Sequence, residues 1–342
     1  MADTIARRLR PSTLKDVEED YEKLKLIGCG KAPQLSRTGL TVLDHYFLKH
    51  RIKAKTKRNI SFYEALANKD IDLLLESKVD KLKPTRLKDT PEQRLRLKYD
   101  VFQLYYGTIN QFRPTEAMKL YCRLKPTLGI LDFSAGWGGR CLAAMALGIP
   151  YTGIDANTRL EKSYRDMIAM AKPDARVSMI FKPSESVDFG FSNAKTLMGS
   201  KTVGTQFTGI KYDLVFTSPP YFMLELYEKM PTYDGKVAFL DTFFRPVIEK
   251  AWRGLATGGH LALNMPVEMY EAVRRCLAPL AAKLELALAH RHAGEAAGVK
   301  DAKPYREYTY IWKKTSKRKT LKCKRGNIKG GAGAGTKSNR RS

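Results

Sequence analysis

The sequence predicts an α/β protein: a doubly wound, mostly parallel sheet with an antiparallel last strand, preceded by a mainly helical N-terminal extension. Three observations predict it. From residue 128 onward, short apolar runs alternate with helical patterns of ten or more residues, the signature of parallel strands joined by crossover helices. The last two apolar runs have no helix between them and read as an antiparallel pair. Residues 1 to about 90 are polar, basic and broken by turns, with only short helical patterns near 14–25, 61–68 and 70–78.

The elements follow in order. Thr90-Pro91-Glu92-Gln93 is a helix start, with a Thr cap and Pro at the first helical position, and the helix runs to about Tyr106, where Gly107 stops it. A second helix starts after Phe112-Arg113-Pro114. LGILDF is a short buried strand, and GGRCLAAMALG a small-residue helix ending at Gly148. YTGID is the second strand and NTRLEKSYRDMIAMAK the second helix of this part. RVSMIF and YDLVFT are the third and fourth strands. FLDTFFRPVIEKAWRGL is helical, GGHLALNM a strand and PVEMYEAVRRCLAPLA a helix. LELALAH and REYTYIW close the sheet. Between strands three and four, NAKTLMGSKTVGTQFTG, rich in Gly, Ser and Thr, reads as a mobile surface loop.

Charge narrows the partner. The 342 residues carry a formal net charge of +26, which predicts attraction to a polyanion, most simply nucleic acid. The run Lys49 to Arg58, followed by Ile60-Ser61-Phe62-Tyr63, sets cations beside aromatics. That suits a surface tracking a phosphate backbone, or equally a solvated loop. Five scattered cysteines without a C-x-x-C pair predict no disulfide framework, no zinc knuckle and a reducing, intracellular compartment, cytoplasmic or nuclear. No metal constellation is expected; His290 and His292 read as structural. No apolar run is long enough for a membrane span, and the N-terminus has no apolar signal region.

Ligands of open α/β sheets bind at the carboxyl ends of the strands, near the switch point. There the first strand ends in Asp132-Phe133-Ser134-Ala135-Gly136-Trp137-Gly138-Gly139, whose glycines let the backbone turn tightly. No triphosphate cradle or dinucleotide fingerprint is present. Strand two ends in Asp155, about 20 residues further on, where an acid accepts from ribose hydroxyls or caps the following helix. Strand four ends in Thr217-Ser218-Pro219-Pro220-Tyr221-Phe222, a stiff aromatic corner.

D-F-S-A-G-W-G-G is similar to the D-P-F-x-G-x-G turn of S-adenosylmethionine-dependent amino-methyltransferases, and T-S-P-P-Y resembles their [DNS]-P-P-[YFW] motif. The resemblance covers about residues 110–314. It implies a class I methyltransferase fold (Rossmann-like), with a seven-stranded sheet whose last strand is antiparallel, and S-adenosylmethionine as cofactor. It places Phe112, Asp132, Ser134, Gly136, Gly138 and Asp155 at the cofactor, with Ser184 or Glu185 beside the adenine. Ser218, Pro219, Pro220 and Tyr221 become the catalytic corner. There Ser218 Oγ and the Pro219 carbonyl accept both hydrogens of an exocyclic amine, drawing the nitrogen toward sp³. The prolines keep these acceptors preorganised, and Tyr221 offers a stacking face for a base flipped out of double-stranded DNA. Phe133 stands one place early for the family's aromatic, and Trp137 replaces a smaller residue, to cover the cofactor or to pack inward.

Serine in S-P-P-Y resembles the cytosine-N4 branch more than the adenine-N6 branch. The expectation is therefore a site-specific DNA methyltransferase acting on cytosine N4. Adenine N6 in DNA and an RNA base amine follow as alternatives. A nucleic-acid-binding protein on an inactive methyltransferase scaffold is the non-enzyme rival, and a small-molecule methyltransferase is a further one. The predicted organisation is a basic helical region at 1–95, the methyltransferase domain at 96–314, and a disordered basic Gly-rich tail at 315–342, with ten Lys or Arg and no acid.

Overall fold

A computed structural model describes residues 1–30, 36–82, 89–171, 176–189, 196–198, 201–203, 212–220, 233–280, 283–290 and 307–315. Six helices come first: α1 (Ala2–Leu9), α2 (Leu14–Ile27), α3 (Leu40–Arg51), α4 (Phe62–Ala67), α5 (Lys69–Leu82) and α6 (Pro91–Tyr106). The alternating part begins with α7 (Pro114–Leu124), β1 (Ile130–Asp132), α8 (Gly139–Ala146), β2 (Tyr151–Ile154), α9 (Glu161–Met170) and β3 (Val177–Ile180). It continues through β4 (Thr196–Met198), β5 (Lys201–Val203), β6 (Leu214–Thr217), α10 (Gly235–Ala238), α11 (Arg245–Gly254) and β7 (His260–Pro266). It ends in α12 (Val267–Leu277), β8 (Lys283–His290) and β9 (Glu307–Lys313).

The strands form one sheet in the order β5-β4-β3-β2-β1-β6-β7-β9-β8. Seven of them, β3-β2-β1-β6-β7-β9-β8, form the expected class I methyltransferase sheet. β1, β2, β3, β6 and β7 pair in parallel, and β9 runs antiparallel between β7 and β8. Two further strands correct the loop reading of the Gly/Ser/Thr stretch. Thr196–Met198 pairs antiparallel with β3 and Lys201–Val203 returns along it, a hairpin added to the sheet edge. A period of two over three residues is too short to separate a strand from a loop in the sequence.

Both faces of the sheet are covered, so its strands are apolar on both sides. Successive residues alternate between two cores. Ile130, Leu214, Phe216, Ala262 and Ile311 join the core under α2, α3, α7, α8 and α9. Leu131, Val215, Leu261, Leu263, Tyr310 and Trp312 join the one under α11 and α12. On that side six π-helical residues, Phe239–Phe244, precede α11. Pro246 stands in the first turn of α11 and cannot donate to the preceding turn, where the coil is widened.

The N-terminal helices are tied to this sheet rather than strung beside it. α3 sends Val42, Leu43 and Phe47 into the first sheet core, and Leu48 into a third core shared with α1, α4, α5 and α6. The His50 ring meets Ser163 Oγ at 3.0 Å, joining α3 to α9. Cys29, in the turn after α2, is disulfide-bonded to Cys122 on α7, with Cα atoms 5.5 Å apart. The expectation of a chain without disulfides is thereby corrected, and the compartment reading loses the support it drew from it. The partners lie 93 residues apart in the chain, so local spacing carries no trace of the pairing. Cys141 and Cys276 are buried free thiols. No helix among the described residues is long and apolar enough to cross a membrane.

Candidate active site

β1 lies between β2 and β6, and the chain order reverses between β1 and β6. Asp155 and Ser218 therefore follow strands two spacings apart, about 10 Å, with the glycine turn between them.

The turn is held from below. Asp132, fully buried, closes β1. Its carboxylate accepts from Arg140 Nε at 2.6 Å, from the Tyr151 hydroxyl at 2.6 Å and from the Ser134 amide at 3.2 Å. Arg140 also donates to the Ser134 carbonyl, and its guanidinium lies over the rings of Phe112 and Phe216 at 5.4 and 5.9 Å. The structure thus places Asp132 beneath the turn as its anchor, and Ser134 in its wall.

The glycines do different jobs. Gly136 and Gly138 have φ of +60° and +78°, in the left-handed region that side chains avoid. At Gly138 a Cβ would sit 2.9 Å from Phe47, and at Gly139 one would sit 2.0 Å from the Phe112 carbonyl oxygen. The second absence lets the 108–112 segment lie directly on the turn. Among the described residues a Cβ on Gly136 would meet only the Ser134 carbonyl, at 3.9 Å, so none of them crowds this side of the turn. Trp137 is buried in the first sheet core, the inward-packing alternative.

Asp155 ties the turn to β2. One carboxylate oxygen accepts from the Gly136 amide at 2.7 Å and the other from the Asn157 amide at 2.8 Å. Asn157, not Asp155, caps the short helix that follows, by accepting from the Arg159 amide. Asp155 is half-buried. Burial pushes its pKa up to about 6, against the lowering effect of the Asn157 and Gly136 amides.

After β3, Ser184 is buried and donates to the Phe133 carbonyl, so its hydroxyl braces the back of the turn. Glu185 is half-buried in the same short helix. Lys250 on α11 fixes this segment, its ammonium donating to the carbonyls of Ser184, Glu185 and Val187 at 3.2, 2.7 and 2.8 Å.

At the end of β6, Ser218 and Pro220 are half-buried and Pro219 is buried. Tyr221 and Phe222 lie outside the described residues, as do His292 and the tail from residue 316. Next to Ser218 stands a residue the sequence reading missed. Asn264, 2% exposed on β7, donates from Nδ2 to Ser218 Oγ at 3.4 Å and to Glu307, and accepts from Thr309 Oγ1 at 3.1 Å. Its signal was there: an amide inside the apolar run LALNM. Lys250 and Arg140 left no such mark, since charged residues on helices are commonplace. Among the described residues no three His, Cys, Asp or Glu side chains converge as a metal site.

No protein-family model matches the sequence, and no curated protein is similar to it. Solved structures that resemble the chain include several methyltransferases. A methyltransferase from Pyrococcus furiosus is 16% identical over 66% of this chain and all of its own, with a TM-score of 0.38. TrmN from Thermus thermophilus is 15% identical over 68% of this chain and 70% of its own, at 0.41. An S-adenosylmethionine-dependent O-methyltransferase from Thermotoga maritima is 12% identical over 63% of this chain and 71% of its own, at 0.37. At this similarity they carry nothing about substrate or site residues; the strand order is the stronger statement of the fold.

Proposed function

We propose that this chain transfers a methyl group from S-adenosylmethionine to an exocyclic amine of a nucleic-acid base, cytosine N4 in DNA. One observation carries the reading. The glycine turn, Asp155 and Ser218-Pro219-Pro220 are far apart in sequence, yet they follow three adjacent strands at the switch point of the sheet. The net charge of +26 supports a polyanionic substrate.

The residues present fit the cofactor. Among the described residues none crowds the turn beside Gly136, where a ligand can approach the backbone. Each Asp155 oxygen accepts one amide, which leaves acceptor capacity for the two ribose hydroxyls. Phe112, Gly136, Gly138, Asp155 and Glu185 would line the cofactor, with Asp132, Ser134 and Ser184 bracing them. Bound there, S-adenosylmethionine supplies an electrophilic methyl on a positive sulfur.

The chain's own part is to present the amine. A base amine is a poor nucleophile because its lone pair is conjugated into the ring. Ser218 Oγ has two acceptor positions. It accepts from Asn264 Nδ2 at 3.4 Å, which holds the oxygen where it would accept an amine hydrogen. The Pro219 carbonyl accepts the second hydrogen, and Tyr221 stacks on the base. Paired prolines hold these acceptors still, so little reorganisation accompanies the reaction.

The test is transfer of labelled methyl to DNA and to RNA, followed by nucleoside analysis. N4-methylcytosine from DNA is the expected product. N6-methyladenine keeps the mechanism and changes the base; label in RNA alone moves the substrate. Cofactor binding without transfer to either polymer overturns the nucleic-acid reading.

A further inference from the structure

We infer that the turn Thr56–Asn59 is a phosphate-backbone contact that registers the nucleic-acid substrate against the methyl-transfer site. The inference rests on the nucleic-acid reading above and adds to it where the strand is gripped.

Lys53, Lys55, Lys57 and Arg58 put four cations into six residues. Among the described residues only Lys55 has a carboxylate partner, Glu64 at 3.5 Å, and no acid lies within ion-pair distance of Lys53, Lys57 or Arg58. Unpaired like charges repel, and a solvated segment would spread to relieve this. This one is held closed. The Asn59 amide donates to the Thr56 carbonyl at 2.8 Å and the Thr56 amide to the Ile60 carbonyl at 3.0 Å. Thr56 is 2% exposed, and its hydroxyl accepts from the Arg58 amide at 3.3 Å. Asn59 completes the turn at φ +57°, a conformation asparagine tolerates better than most residues. Lys57 and Arg58 occupy the two central positions and are exposed. The turn therefore presents paired positive charge at a set position, with its ordering cost met in folding rather than on binding.

Aromatic rings lie alongside. Lys53 Nζ is 5.6 Å from the Tyr63 ring centroid and Arg58 Cζ 5.9 Å from that of Tyr106. Cations interleaved with rings are what a polynucleotide surface uses.

The turn is also near the proposed chemistry. A Cβ on Gly107 would touch Thr56 and Lys57 at 3.8 and 4.0 Å, so the tip rests where α6 ends. From Gly107 to Phe112, whose carbonyl lies on Gly139, five residues span at most about 18 Å. That connection is fixed midway, with Ile109 buried and Gln111 donating to Asp44 at 3.4 Å. The tip of the turn thus lies within about 22 Å of Phe112 on the glycine turn, some six to seven base steps at roughly 3.4 Å per step. A free arm would reach any phosphate; a fixed tip at a bounded distance restricts contact to phosphates a few steps from the target base.

The test uses the full chain and the double variant Lys57→Glu/Arg58→Glu. Binding of a short DNA duplex and of an RNA hairpin is measured by fluorescence anisotropy between about 50 and 200 mM salt. The variant is expected to lose at least about tenfold in affinity at the lower salt, with a log–log salt slope shallower by about 2. Its melting temperature should not change. Lys57→Arg/Arg58→Lys should keep the slope. Whichever polymer shows the loss is the one the turn grips. An unchanged slope overturns the inference, and so does failure of the unmodified chain to bind either polymer. If the polymer binds with the expected slope change but accepts no methyl, the methyl-transfer reading fails and the contact stands.

Discussion

Asp155 carries the clearest consequence at the scale of single residues. Its pKa of about 6 lies above the ordinary 3.8 because burial penalises the ionised form. Between about pH 4 and 6 the folded protein holds a proton that the unfolded chain releases, so ionising Asp155 costs stability as pH rises. Ribose hydroxyls need the ionised acceptor. Affinity for S-adenosylmethionine should therefore rise with pH through about 6 and level off above about 7. Asp155→Asn should weaken binding and flatten that profile; calorimetric titration across this range checks it, and an unchanged profile would remove Asp155 from the site. Asn264 stands beside Ser218, at the proposed amine site. Asn264→Ala removes the donor to Ser218 Oγ and should lower kcat about tenfold by loosening the acceptor, with cofactor affinity kept. Asn264→Asp, which cannot donate, should not restore it. Equal losses in kcat and cofactor affinity would mean a general packing defect instead.

Among elements, the glycine turn shows what three absent side chains achieve. Gly139→Ala would drive a Cβ into the Phe112 carbonyl, a backbone atom that moves only with its segment. The expected cost is about 1–3 kcal/mol of stability, together with weaker cofactor binding, both readable by denaturation with and without S-adenosylmethionine. At this scale much was legible. The Thr90 cap, Pro91 and Gly107 bound α6 as expected, and the apolar runs at Leu131, Ile154, Ile180 and Val215 all became strands. α3 was not legible. It is apolar on several sides and its N-terminus is capped from elsewhere, by Asp20 accepting from the Gly39 and Thr41 amides. The β4–β5 hairpin escaped because each strand has three residues and its composition is that of a turn.

For the whole molecule, the Cys29–Cys122 bond is the long-range tie between the N-terminal helices and α7. Closing a loop of this length restricts the unfolded chain, and its loss should cost about 2–4 kcal/mol. A Cys29→Ser/Cys122→Ser variant should unfold at lower denaturant concentration than the oxidised parent, and the parent with reductant should match the variant. Equal midpoints for all three would show that the cores alone hold the helices in place. The sequence by itself determined seven of the nine strands and their order along the chain, the glycine turn, the acid after β2 and the proline corner after β6. These are written in local periodicity and in residues whose backbone chemistry acts where they stand. Only the tertiary structure decided that Asp132 faces Arg140 and Tyr151, that Asn264 reaches Ser218, that Lys250 clamps the segment after β3 and that Cys29 meets Cys122. Each of these joins residues brought together by packing, and neither composition nor spacing encodes which distant side chain a buried group will meet.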